Sequence, residues 1–477
     1  MGSNFTLPQY ERRVLSTLNA DGTRRWITPR EVTGRFWKCR FVLAWSLIVL
    51  FAALPWVRIA GKPAMLFDVV SRQFTVAGTT FRPTETLLLA LVMLFIFVAV
   101  FLITALLGRV WCGWGCPQTV YLEFLYRPIE RLLLGGGYHT RDRSVSAVRR
   151  LAMYALFLVL SAHLANTFLA YFVGTDQLTV WTMHAPSRHP VAFGVFATTV
   201  ALMMFNFTFF REQMCTIVCP YGRMQSALLD QDSLVIGYDA QRGEPRAKGS
   251  QRQAMAAAGS MAGDCIECTM CVQVCPTGID IRDGLQLECI NCAQCIDACD
   301  SVMRKLKKPT GLIRYSTTHR LGGQAAKHVR YRLVIYPILM LAISAALVTL
   351  LVRRPSALVE QARLTGVNFI DAGEGRIETP IRLLIENRTD AARTYTVTAT
   401  GDLQLIGATT PLNVPASDAQ SIDLMVVAPA NSFHRGSRTG QLAVHDDAQF
   451  STTVDIAIVG PFSAPSTAKS ASEGHTP

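Results

Sequence analysis

Five long apolar runs interrupt this chain of 477 residues, and nothing else in the sequence restricts its architecture as strongly. They cover 41–57, 86–107, 151–173, 191–210 and 333–352. A helix needs roughly 17–25 apolar residues to cross a bilayer. Lipid offers no partner to backbone amides, so such runs must be helical. The first run is short and holds Pro55. Only 17% of the chain is charged and half is hydrophobic, against about 25% charged in soluble domains. The expectation is several membrane spans, not one large soluble core.

The net charge is +12. A basic balance can mean nucleic-acid binding, but the cations crowd the ends of the apolar runs and form no single patch. Eight Lys/Arg precede Phe41 and seven lie in 108–150, against four in 58–85 and one, Arg188, in 174–190. The positive-inside rule places the N-terminus, 108–150 and 211–332 in the cytoplasm. An odd number of spans puts everything after Val352 outside, although Arg353 and Arg354 sit there. No secretory signal is read, because the 40 residues before the first span are polar and Arg-rich.

Twelve of the thirteen cysteines fall into four tight motifs. Cys265, Cys268, Cys271 and Cys275 have the spacing C-x2-C-x2-C-x3-C followed by Pro276, and Cys289, Cys292, Cys295 and Cys299 repeat it. Such runs wrap a cubane [4Fe–4S] cluster, the last Cys of each serving the other cluster. One cluster takes Cys265, Cys268, Cys271 and Cys299. The second takes Cys289, Cys292, Cys295 and Cys275. Structural zinc prefers separated C-x2-C pairs and fits poorly. Asp300 replaces the usual Pro in the second run and removes no ligand.

The remaining pair is Cys112-x3-Cys116-Pro117 and, 103 residues later, Cys215-x3-Cys219-Pro220. Each follows an even-numbered span, so the membrane part reads as a parallel duplication with all four thiols on the cytoplasmic face. Residues four apart share one helix face. Proline suits a first helical position, so Cys116 and Cys219 are expected to cap helices over 117–125 and 220–229, where the helix N-terminus favours thiolate. Four such thiols suit Cu(I), zinc or iron–sulfur.

Other side chains are weaker candidates. His163 lies mid-span, where ionisable groups are functional candidates but also pack as neutral residues. His184 and His189 lie in an outer loop where copper could arrive. Cys39 reads as an apolar filler, and Arg211 and Glu212 either tune Cys215 or face water. The glycine run 135–137 lacks the strand–loop–helix frame of a phosphate cradle.

The ferredoxin-like segment spans 231–332, and the composition changes after the fifth span. Short β-rich runs at 381–386, 394–400, 422–427, 441–444 and 452–458 point to an immunoglobulin-like β-sandwich over 364–460. The tail 461–477 is rich in Ser, Ala, Thr and Pro and reads as disordered. The fold class is thus a multidomain membrane protein: 1–40 cytoplasmic, four helices in a five-helix bundle over 41–230, the cluster segment, the fifth helix, and the sandwich outside.

Several segments together resemble a family. They are Gly108-Arg-Val-Trp-Cys112-Gly-Trp-Gly-Cys116-Pro-Gln-Thr, Arg211-Glu-Gln-Met-Cys215-Thr-Ile-Val-Cys219-Pro-Tyr, Arg242-Gly-Glu-Pro-Arg, the run from Cys265 to Cys275-Pro-Thr-Gly-Ile-Asp-Ile-Arg, and Gly311-Leu-Ile-Arg-Tyr-Ser. The chain resembles the cytochrome c oxidase accessory proteins CcoG, FixG and RdxA from about Arg35 to Ser316. The resemblance implies a bacterial inner-membrane protein that matures a cbb3-type oxidase by reducing Cu(II) to Cu(I). It also implies oxidase assembly factors or copper carriers as partners, and an electron donor in the cytoplasm. In this family Cys112, Cys116, Cys215 and Cys219 match the membrane CxxxCP positions, and Cys265 to Cys299 the two-cluster positions. The alternative is a quinol-oxidising subunit that supplies a reductase outside.

Overall fold

The computed structural model describes residues 16–462 apart from 20, 60, 70–72, 82–84, 136–144, 325–330, 363–367, 390 and 407–410. The tail beyond Phe462 and Gly136 and Gly137 therefore lie outside the described residues. The chain divides into two compact units, Met1–Leu347 and Val348–Pro477.

Five helices are long and apolar enough to cross a membrane: Arg35–Trp56, Thr86–Leu107, Ala147–Val173, Pro190–Phe210 and Arg332–Val352. The first is α1 (Arg35–Ala53), closed by a 3-10 turn at Leu54–Trp56 where Pro55 interrupts it. A short ribbon, β1 (Arg58–Ile59) with β2 (Lys62–Pro63), and a meander of β3 (Met65–Asp68), β4 (Gln73–Val76) and β5 (Thr79–Phe81) fill the next connection. From sequence that connection reads as plain loop. Its strands are only two to four residues long, too short for a readable alternation.

The second span is α2 (Thr86–Leu107). Then come α3 (Val110–Trp114), α4 (Pro117–Tyr121), a π-helical turn at Leu122–Tyr126, and α5 (Arg127–Leu134). α6 (Ala147–Val173) is the third span, α7 (Thr175–Thr182) a short connecting helix, and α8 (Pro190–Phe205) the fourth, extended by a π turn to Phe210. The five-helix bundle expected from sequence is uneven. In α6, 44% of the apolar window is buried, but only 6% in α2 and in α15 (Arg332–Val352). Met153, Phe157 and Leu164 of α6 pack against Leu122, Tyr126, Leu134 and Phe207, so α6 is the organising helix. Lipid is as apolar as leucine, so α2 and α15 need no protein cover.

After α9 (Pro220–Leu228) the ferredoxin-like region begins with β6 (Val235–Tyr238). It continues through α10 (Ala240–Gly243), α11 (Gly249–Ala257), α12 (Met270–Gln273) and α13 (Gln294–Lys305). It closes with β7 (Ile313–Ser316), antiparallel to β6, and α14 (Thr318–Leu321). This region does not hang free of the spans. Asp297 of α13 accepts the Phe36 and Trp37 amides at 3.2 and 2.7 Å. A carboxylate there satisfies orphan N–H groups and complements the helix dipole of α1.

In the second unit, β8 (Ala357–Ala362), β9 (Ile370–Gly373), β10 (Arg376–Asn387), β12 (Gln404–Ile406) and β14 (Ala419–Pro429) form one sheet. The other has the order β13-β11-β15-β16: β11 (Arg393–Ala399), β13 (Leu412–Val414), β15 (Ser437–Asp446) and β16 (Ser451–Val459). Leu383, Ile385, Val414, Val426, Leu442, Val444, Ile456 and Ile458 fill the space between them. The sandwich starts at Ala357, ahead of the expected boundary at 364. The run Ala357–Ala362 opens with three apolar residues and lies too close to the fifth span to be separated from it by pattern alone.

Candidate redox centre

The two four-Cys runs share one backbone pattern. Glu267 and Thr269 in the first, and Asn291 and Ala293 in the second, all have left-handed φ near +53 to +61°. They occupy the same places relative to Cys265 and Cys289. Non-glycine residues hold such angles only where the surroundings over-determine them. Consecutive turns of this kind aim backbone amides inward and form an anion-binding nest. Thr269 and Ala293 then start α12 and α13. α13 runs on through Cys299 to Lys305, because Asp300 stands where Pro276 ends the first run. The Asp300 carboxylate accepts the Gly311 amide at 2.9 Å.

The eight thiols surround two cavities. One is walled by Cys265, Cys268, Cys271 and Cys299 with Met303, Leu312 and Ile313. The other is walled by Cys275, Cys289, Cys292 and Cys295 with Ile236, Ile279, Ile281 and Ile290; Cys271 also reaches it. Burial pushes the thiols of Cys271, Cys289 and Cys299 up to about 12, and Cys295 well above its ordinary range. Burial thus favours the protonated form of these four sulfurs until a cation displaces the proton. Buried soft donors spread round an apolar cavity fit an iron–sulfur core. Among the described residues, the CxxxCP thiols included, no three His, Cys, Asp or Glu are placed to share one metal ion.

The two CxxxCP turns also share a backbone. Gly108 has φ +62° and ψ −136°, and Arg211, at the matching place, has +52° and −120°. The Cys116 amide donates to the Trp111 carbonyl at 2.8 Å, and the Cys219 amide to Met214 at 2.8 Å. Neither motif is one continuous helix. α3 ends at Trp114, and Cys116 becomes the N-cap of α4. Cys215 lies in a π turn, Met214–Val218, and Cys219 precedes α9. Proline at 117 and 220 forces the break, because it cannot continue a helix begun upstream.

The four thiols are electrostatic neighbours. Burial pushes Cys112 up to about 11, with Cys116 and Cys219 adding to the rise and Arg109 opposing it. Burial also pushes Cys215 up to about 12, with Cys116, Cys112 and Cys219 contributing and a Thr119 hydrogen bond opposing. Its place at a helix start predicts a thiolate-prone Cys116. Its thiol is instead raised, because burial outweighs the Gln118 and Thr119 amides. Gln118 ties the copies together: its amide donates to the Arg211 carbonyl at 3.0 Å and exchanges hydrogen bonds with Asn206.

The first turn is pressed against the second cluster cavity. Cys112, Ile290 and Cys292 form one buried cluster. A Cβ on Gly113 would lie 2.8 Å from the Cys292 nitrogen and closer still to the Ile290 carbonyl. Arg40 donates to the Gly113 carbonyl at 2.9 Å, and the Trp114 indole to the Asn291 carbonyl at 3.2 Å. Arg109 donates to the Leu287 carbonyl. Sequence reasoning missed Arg40, Gly113 and Asp297, whose partners are about 73 to 261 positions away. The glycines at 108, 113 and 115 were the available signal.

Arg211 and Glu212 face neither water nor the sulfur directly. Arg211 makes a two-pronged bond with Glu130, 2.9 Å for each prong. Glu212 meets Arg24 at 3.1 Å and Arg127 at 3.4 Å, and Arg127 also pairs with Glu123. All but Arg24 are at least nine-tenths buried. His163 and Cys39 sit on exposed faces of α6 and α1. His184 bonds the Val180 carbonyl at 2.7 Å and His189 stacks on Trp181. None of these joins the thiols.

Residues 210–318 match a family model described as a 4Fe-4S dicluster domain, and 89–134 one described as a 4Fe-4S binding domain. Residues 347–461 match the IG-like fold at the C-terminal of FixG. The Protein RdxB of Cereibacter sphaeroides is 31% identical over 85% of this chain and 89% of its own length. The chain belongs to the FixG/RdxA family. Protein RdxA of the same organism is also 31% identical, over 85% of this chain and 90% of its own. The Nitrogen fixation protein FixG of Rhizobium meliloti is 35% identical over 62% of this chain, and the match spans 57% of that relative. Members of this family with these domains are iron–sulfur electron-transfer proteins, and the five apolar helices fit a membrane protein.

Proposed function

We propose that electrons enter at the cluster cavities from the cytoplasmic side, leave through Cys112, and reduce Cu(II) to Cu(I) at the four-thiol centre. Cys265, Cys268, Cys271 and Cys299 would hold one [4Fe–4S] cluster and Cys275, Cys289, Cys292 and Cys295 the other. The carrying observation is the buried contact of Cys112 with Ile290 and Cys292, which packs the two thiol systems into one apolar cluster. One-electron carriers suit a one-electron copper couple, and thiolates favour the softer Cu(I). The product serves assembly of a cbb3-type oxidase in the bacterial inner membrane. The sandwich lies in the periplasm and docks the oxidase or a copper carrier. Purified protein, a reductant and Cu(II) with a Cu(I)-specific chromophore test this. Cys112→Ser with Cys215→Ser should stop Cu(I) formation with cluster content intact; an unchanged rate would remove the four-thiol centre from the path.

A second reading has specific support. The model match over 89–134 contains Cys112 and Cys116 as its only cysteines. In this reading a third cluster would sit on the four thiols, with copper reduced beside it; the match supports it through Cys112 and Cys116. Iron analysis separates the two: about eight irons per chain for two clusters and about twelve for three.

A further inference from the structure

A further cavity lies where α1 leaves the cluster region, and nothing above uses it. Its volume is about 240 Å³, and Trp37, Phe41, Trp45, Phe124, Glu31 and Arg131 line it, with Gln294 and Glu123 in its buried walls. We propose that it binds the ring of a membrane quinol, and that this quinol is the electron source for the clusters. The inference rests on reading the clusters as an electron path.

The walls divide by chemistry. Trp37 stacks on Phe41 at 5.3 Å, and Phe124 meets Phe41 edge-on at 6.1 Å, so the three rings make one continuous aromatic wall of the slot. Planar rings pack into such slots with offset or edge geometry. The polar groups sit at the other side: Arg131 pairs with Glu31 at 3.3 Å, and Glu123 is held by Arg127. This mixture of apolar wall and a few aimed polar groups is the usual composition of a small-molecule site. The volume falls just below the roughly 300 Å³ of drug-sized pockets. It takes one substituted ring and leaves any long tail outside.

The tail has a place to go. Phe41 and Trp45 are two-fifths exposed on the flank of the first spanning helix, where an isoprenoid chain meets lipid. Interfacial tryptophans are common as membrane anchors, but anchors do not by themselves enclose carboxylates and a buried amide. The slot also touches the redox chain. Gln294 opens α13, the helix that carries Cys295 and Cys299, and the carboxylate of Asp297 on that helix accepts the Trp37 amide at 2.7 Å. The π turn at Leu122–Tyr126, a feature frequent at functional sites, supplies Glu123 and Phe124.

The step balances. Both phenolic O–H bonds of the quinol break. One proton goes to Glu31, which opens to water, and the other to water through the same face. The two electrons leave one at a time, one for each of the two clusters, and the product is the quinone.

The test uses full-length protein in nanodiscs of defined phospholipid. A photoreactive azidoquinone should label peptides from 31–45 or 123–131, and excess quinol but not added phospholipid should compete. Quinol should bleach the cluster absorbance, and Arg131→Met or Glu31→Gln should slow that at least tenfold while reduction by dithionite is unchanged. Labelling elsewhere, displacement by phospholipid alone, or unchanged quinol rates in both variants would overturn the proposal. Dithionite-reduced protein that still reduces Cu(II) in that event would leave the electron path standing, so the two failures are distinguishable.

Discussion

The two CxxxCP turns share their entry and exit geometry but have different surroundings. Both open with a positive-φ residue four before the first Cys, and both bond the second Cys amide to a carbonyl five residues back. The first copy places glycine at 108, 113 and 115; the second has Arg211, Thr216 and Val218 at those places. In the first copy Leu234, Ile290 and the Trp111 ring press on the three glycines. The second copy is anchored from its side chains, through Arg211 to Glu130 and Glu212 to Arg24 and Arg127. A duplicated backbone thus diverged according to what lies against it. One turn became the contact to the clusters and the other the fixed strut.

Breaking the contact should have the largest effect. Gly113→Val must separate Cys112 from Cys292, and Cu(II)-driven reoxidation of reduced protein should fall more than a hundredfold, read by stopped-flow absorbance. Thr216→Gly, at the matched place, should leave that rate within twofold. Breaking the strut should show in stability. Arg211→Ala leaves Glu130 buried without its partner and should cost about 3–5 kcal/mol, measured by unfolding in mixed detergent. Arg211→Gly loses the same pair but relieves the strained φ, a relief on the order of 1–3 kcal/mol. Glycine should therefore be the milder substitution here, the reverse of the usual order. Asp297→Ala removes the cap on α1 and should cost about 0.5–2 kcal/mol in the same measurement. Thr216→Gly should cost about 1 kcal/mol or less.

Local signals explain most of what the sequence disclosed. The spans follow from unbroken apolar length, and the cluster cavities from spacing that returns Cys275 and Cys299 to opposite cavities. The sandwich follows from alternation in β10, β11, β14, β15 and β16. What stayed hidden depends on distant partners. Helix-end logic pointed to an activated Cys116, yet burial, which spacing does not disclose, raises its thiol. Arg211 reads as a cation that either tunes Cys215 or faces water until Glu130 is brought to it from 81 residues away. The aromatic slot reads as scattered Trp and Phe until α1 and the π turn face each other.

Electron passage at the contact between Cys112 and Cys292 is tested most directly by rapid-freeze EPR. Fully reduced protein is mixed with Cu(II), and single Cys→Ser variants assign each cluster signal. The signal assigned to Cys275, Cys289, Cys292 and Cys295 should decay first, and Cys112→Ser should delay that decay. Earlier loss of the signal assigned to Cys265, Cys268, Cys271 and Cys299, unaffected by Cys112→Ser, would contradict the path.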